Sequence, residues 1–144
     1  MSIDQKISIF LVDDDALYLT LLQTELSENQ GYIIKTFANG ELCLEKISEV
    51  PDIIVLDYHL NGIEKNALNG LDTLRKIKII NPDIPVIMLS SQDKIEVAVN
   101  CMKLKAVDYI VKSETAFARL NYSINNIMYY KKMENIVSWY MENL

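Results

Sequence analysis

Cysteine is scarce in this chain. Cys43 and Cys101 are the two in 144 residues, and both stand in apolar helical contexts. They read as buried free thiols, which excludes a disulfide framework and a cysteine metal site. Histidine is scarcer still: His59 stands alone, with no metal-ligand spacing leading to it. Cations are outnumbered, 14 Lys and Arg against 20 Asp and Glu, for a net charge of -6. That balance argues against direct nucleic-acid contact, which needs clustered Lys and Arg. No apolar run approaches the roughly 18 residues of a membrane span. No secretory leader is expected, because Asp4 and Lys6 interrupt the start and no apolar block follows. Together these absences imply a reducing, cytoplasmic setting. Internal repeats and low-complexity stretches are also missing.

What is present is a core. Half of the residues are hydrophobic, and the length suits one domain. The central stretch is Pro51-Asp52-Ile53-Ile54-Val55-Leu56-Asp57. Its continuous apolar run fits a strand covered on both faces, and it ends in a carboxylate. Four more strands are predicted, over Lys6–Val12, Tyr32–Phe37, Ile84–Leu89 and Val107–Val111. Helical spacing predicts Ala16–Glu28 with Leu17, Leu21, Leu22 and Leu26, capped by Asp15 and closed by Gly31. After a turn at Asn39-Gly40, a short helix covers Glu41–Ser48 with Leu42, Leu44 and Ile47 inward. A further helix covers Leu71–Ile80. A fourth follows Asp93, with Ile95, Val97, Val99, Met102 and Leu104 mostly buried. The last starts near Ser113 or Glu114. Five alternating strand–helix units with short connections demand an α/β fold, a doubly wound parallel sheet with helices on both faces.

In a parallel sheet all strand ends of one sense share an edge. Here they carry Asp13 and Asp14, Asp57, Ser90 and Lys112. Three carboxylates together repel by about a few kcal/mol per close pair. Lys112 can offset one, and a hard cation such as Mg2+ the others. A carboxylate beside Mg2+, with an amine and a hydroxyl for anionic oxygens, suits phosphoryl transfer to an aspartyl nucleophile. Singly, each residue has a plainer role: Asp14 or Asp15 as a helix cap, Asp57 as a loop cap, Ser90 as a helix start, Lys112 as a solvated strand end.

Over residues 6 to 130 the chain resembles the receiver domain of bacterial two-component response regulators. The resemblance rests on Val12-Asp13-Asp14-Asp15, the Pro51–Asp57 stretch, Pro85–Ser91 and Ala106–Lys112. It implies a flavodoxin-like five-stranded sheet of order 2-1-3-4-5. It implies that Asp57 accepts a phosphoryl group from a sensor histidine kinase or phosphotransfer protein. Asp13, Asp14, Asp57 and the backbone carbonyl of His59 would hold Mg2+. Ser90 and Lys112 would bind phosphoryl oxygens, and Ser90 and Tyr109 would form the switch. Without the resemblance, Tyr109 reads as a half-buried strand aromatic. The chain departs from the family pattern at Asn61, at a loop lengthened between Gly62 and Asn69-Gly70, and at Ser113 after Lys112.

The function implied is a phosphorylation-dependent signalling switch whose 90–112 face changes its binding to an effector protein or domain. It is not an enzyme beyond its own phosphorylation and dephosphorylation. Two rivals are a Mg2+-dependent aspartyl phosphatase and a receiver-like scaffold that takes no phosphate. In the phosphatase the acid-base Asp expected two residues past the nucleophile is replaced by His59. The division expected is a receiver domain over 1–130 and a helical extension or linker stub over 131–144. Met133, Val137, Tyr140 and Leu144 form a stripe there. It either pairs chains as a homodimer or joins an effector, or else folds back onto its own domain.

Overall fold

A computed structural model describes residues 5–144; Asp4, invoked above, lies outside them. Its strands are β1 (Ile7–Val12), β2 (Tyr32–Phe37), β3 (Ile53–Asp57), β4 (Val86–Ser90) and β5 (Asp108–Val111). Its helices are α1 (Ala16–Leu26), α2 (Gly40–Glu45), α3 (Gly70–Ile80), α4 (Ile95–Lys103) and α5 (Ala116–Asn143), with a short 3-10 turn at Ile47–Glu49. The strands form one parallel sheet in the order β2-β1-β3-β4-β5.

The continuous apolar strands are explained by cover on both faces. Alternate residues point to opposite sides. Phe10, Val12, Ile54, Leu56, Val86 and Met88 pack with Cys43, Leu74, Ile77 and Cys101, from α2, α3 and α4. Ile9, Leu11, Ile53, Val55, Ile87 and Leu89 pack with Leu22, Leu26, Leu120, Ile124 and Ile127, from α1 and α5. Both cysteines are free and buried, as expected, and burial pushes their thiols up to about 12 for Cys43 and about 11 for Cys101.

Several local expectations are corrected. In α1 the core face is Leu22 and Leu26 with Tyr18 and Leu19, whereas Leu17 and Leu21 are exposed. Leu17 and Leu22 are five residues apart, about 140° around a helix, so one apolar stripe cannot contain both. Asp15 does cap α1, accepting from the amides of Leu17 and Tyr18. Gly31 does not close the helix, which ends at Leu26 with Ser27 as its cap. Asn39-Gly40 is not a free turn: Asn39 caps α2 and Gly40 is its first residue. There Cys43 is buried and Leu42 exposed. On α4, Lys94 stands at the cap in place of Asp93, and Ile95, Val99 and Met102 are exposed. Thr115, not Ser113 or Glu114, precedes α5.

Gly70 fixes how α3 meets the sheet. A Cβ there would lie 2.3 Å from the carbonyl oxygen of Asp57 and 2.6 Å from the Cα of Tyr58. Only a residue without a side chain lets α3 begin against the end of β3, and the Gly70 amide donates to the Tyr58 carbonyl at 2.9 Å.

α5 is one 28-residue helix, about 42 Å long at 1.5 Å per residue. Its buried residues end at Ile127. Met133, Val137, Tyr140 and Leu144 are exposed, so that stripe is not packed onto its own domain.

Candidate functional site

The carboxyl edge of the sheet collects the polar residues. Asp13 follows β1 and is 1% exposed, and Asp57 ends β3 at 4%. Asp14 is half-buried. These three each offer a carboxylate oxygen, all within 4.8 Å of one another. Across from them the Lys112 Nζ, just past β5, lies 2.9 Å from Asp13 Oδ2 and 3.3 Å from Asp57 Oδ1. The Lys112 backbone amide is tied to the Ser90 carbonyl at 2.7 Å. Its bond to Ser113 is trans.

Two acids and one ammonium do not balance. Burial first, and then the Asp13 carboxylate, push Asp57 up to about 7, with Lys112 opposing. For Lys112, burial works against the charge, but the carboxylates of Asp13 and Asp57 outweigh it and raise its pKa. The donor set is therefore oxygen-only, acidic and short of positive charge, which is what a hard divalent cation takes.

The neighbouring loops hold these groups. Asp13 Oδ1 accepts from the Asp15 amide at 2.9 Å. Asp14 Oδ2 accepts from the Gly62 amide at 3.1 Å, so the lengthened loop is tied to the acid cluster. Ser90 is fully buried, and its Oγ accepts from the Gln92 amide at 2.9 Å. Tyr109 is half-buried, and its hydroxyl donates to the Gln92 carbonyl at 2.5 Å. His59 is exposed, with its Nε2 3.3 Å from the Gln92 side-chain nitrogen.

Tyr18 was missed in the sequence. The Lys112 Nζ sits 4.3 Å from the centroid of its ring, and that ring stacks on Phe117 at 6.0 Å. Burial raises the Tyr18 pKa, with Lys112 opposing. A tyrosine inside α1 carries no sequence mark of this contact, because it depends on where β5 ends.

A doubly wound sheet of this order is shared by many folds, so the comparisons with known proteins decide the family. The model of the response regulator receiver domain matches residues 9–124. The chain belongs to that family. Receiver domains are phosphorylation-dependent signalling switches of two-component systems, and they generally bind Mg2+ at an acidic pocket. They interact with histidine kinases or phosphotransfer proteins and with effector domains.

This receiver domain is 35% identical over 108 residues to the transcriptional regulatory protein ZraR of Klebsiella oxytoca, covering 75% of this chain and 23% of that protein. It is 41% identical over 111 residues to the protein-glutamate methylesterase/protein-glutamine glutaminase of Bacillus subtilis, covering 74% of this chain and 29% of that protein. Among solved structures, NtrX from Brucella abortus superposes with a TM-score of 0.81 at 29% identity, covering 97% of this chain and 31% of that one. The chain thus spans about a quarter of the length of the ZraR relative it matches. Among the described residues no helix is long and apolar enough to cross a membrane.

Proposed function

We propose that Asp57 is the phosphoryl acceptor of this receiver domain. An oxygen of its carboxylate forms the new O–P bond as the N–P bond to the donor's histidine breaks. The donor is a sensor histidine kinase or a phosphotransfer protein. Asp13, Asp14, Asp57 and the backbone carbonyl of His59 would hold Mg2+. When bound, that ion supplies positive charge between the carboxylates and the incoming phosphoryl oxygens. The observation that carries the reading is the position of Lys112, whose Nζ lies within 3.3 Å of both Asp57 and Asp13. An ammonium already between two acids is placed to follow a phosphoryl group onto one of them.

Ser90 completes the anion site. Its oxygen accepts from Gln92, which leaves the hydroxyl proton to donate to a phosphoryl oxygen. Tyr109 is bonded to the same loop through the Gln92 carbonyl. A Ser90 drawn toward a phosphoryl group therefore moves the acceptor of the Tyr109 hydroxyl. That coupling makes the Ser90–Lys112 face a two-state element biased by phosphorylation. Its output is altered binding to an effector protein or domain, without turnover of an external substrate and without direct nucleic-acid contact. A cytoplasmic setting agrees with the two free thiols. Residues 1–130 act as the receiver unit, and 131–144 as a helical extension.

Incubation with Mg2+ and acetyl phosphate tests the reading. One adduct labile to base and to hydroxylamine is expected on the parent chain and none on Asp57→Asn. No adduct on the parent, or steady hydrolysis of phosphate esters, would overturn it.

A further inference from the structure

Tyr18 stands in the first turn of α1, just past the Asp15 cap. Helix side chains lean back toward the N-terminus, so this one leans toward the sheet edge that the chain has just left at Asp13 and Asp14. Phe117 stands in the first turn of α5, shortly after Lys112. The two helices cover the same face of the sheet, and both rings pack against its core. Their planes lie 29° apart with centroids at 6.0 Å. The stack therefore ties the start of α1 to the start of α5 beside the acid cluster.

Lys112 reaches this stack from the end of β5. Its head is a compact charge on a flexible four-carbon stem. The backbone fixes only the root of that stem, through the Lys112 amide on the Ser90 carbonyl at 2.7 Å. The head must be placed by what it touches. Asp13 and Asp57 hold it at 2.9 and 3.3 Å, which leaves it free to swing about the line that joins them. The Tyr18 ring removes that freedom. The Nζ sits over its face, 4.3 Å from the centroid, within the range of a cation–π contact. Lys112 keeps only 17% side-chain exposure, and such contacts strengthen as the cation is desolvated.

We propose that Tyr18 is a positioning residue for phosphoryl transfer, its ring keeping the Lys112 ammonium aimed at the acceptor. This role rests on the reading of Asp57 as acceptor. Both carboxylates change partners when Mg2+ and a phosphoryl group arrive. The ring is uncharged and takes no part in either event, so its hold on the ammonium persists through the transfer. A donor already in place stabilises the charge developing on the phosphoryl oxygens without reorganising. The ring face does this work, and the Tyr18 hydroxyl is dispensable.

The test uses the whole chain with Mg2+ and acetyl phosphate. A small donor is chosen so that a lost protein contact on α1 cannot imitate a lost position. Tyr18→Leu should slow adduct formation about fivefold, and Tyr18→Phe should keep the parent rate to within about twofold. In a Lys112→Ala background, shown to be folded by circular dichroism, Tyr18→Leu should add no further loss, because it acts through that ammonium. A spectroscopic reading needs neither metal nor phosphate. The Lys112 ε-methylene resonance, assigned by its loss in Lys112→Ala, should lie upfield of the other lysines under the ring current. It should return toward them in Tyr18→Leu and stay displaced in Tyr18→Phe. An unshifted resonance in the parent overturns the proposal. So does an unchanged rate in Tyr18→Leu, a Tyr18→Phe as slow as Tyr18→Leu, or a full further loss in the Lys112→Ala background. Those outcomes leave Asp57 as acceptor. A parent chain that forms no adduct overturns the acceptor reading itself, and the role of Tyr18 with it.

Discussion

Two regions depart from ordinary burial in opposite ways. At the carboxyl edge of the sheet, Asp13 and Asp57 are nearly inaccessible and share one ammonium. On the outer face of α5, tyrosines, Met133 and Ile136 stand in water. Buried charge and exposed apolar surface are the informative exceptions in a globular domain. The first is an electrostatic imbalance that an incoming cation and anion would relieve. The second is hydration of apolar surface that a second surface would relieve. The core between them is ordinary. So the interaction proposed at the rim is located by what the fold leaves uncompensated.

The comparison breaks first at Lys112. Removing it by Lys112→Ala strands two buried carboxylates, and losing one partner of a buried pair costs several kcal/mol. Because Lys112 keeps 17% side-chain exposure, the expected loss is nearer about 3 kcal/mol, at pH 8 without metal. Urea unfolding measures it, and the loss should shrink toward pH 5 as Asp57 takes up a proton. A loss under about 0.5 kcal/mol would mean that the rim behaves as solvated surface.

Asp57→Asn should act with the opposite sign. The Asp57 carboxyl is raised to about 7 in the fold, against about 3.9 unfolded. The native state thus binds more protons than the unfolded state between those values. Its stability is greatest at low pH and falls as pH rises through about 7. Asparagine removes that penalty. In metal-free buffer at pH 8 the variant is expected to be more stable by about 1–2 kcal/mol, with the gain fading toward pH 4. Paired unfolding curves across that range settle it; a destabilised Asp57→Asn at pH 8 would show that Lys112 already compensates the acids.

The rim was legible in the sequence because parallel strands force it. Asp13, Asp57, Ser90 and Lys112 each follow an apolar run, and strand polarity sends all four ends to one edge. The two-faced core was legible for the same reason, since runs such as Ile53–Leu56 alternate sides. Helix faces were harder to read. Apolar residues on α1 and α4 outnumber the positions that reach the sheet, so composition alone could not exclude Leu17 or Ile95 from the core. The lengthened loop gave no sign that the Gly62 amide bonds Asp14. Tyr18 under Lys112 joins residues from distant segments, and no local pattern carries it.

The smallest effect sharpens the comparison most. Met133→Ser and Ile136→Ser remove apolar groups that are about 40% exposed and lie beyond the last buried residue of α5. In dilute protein each should change stability by less than about 0.5 kcal/mol, as exposed substitutions do. The same change at Ile124, fully buried among Leu22 and Ile9, should cost several times more. A cost above about 1.5 kcal/mol in dilute solution would place those side chains against their own domain. The outer face of α5 would then be core like the rest, and its contrast with the acid rim would vanish.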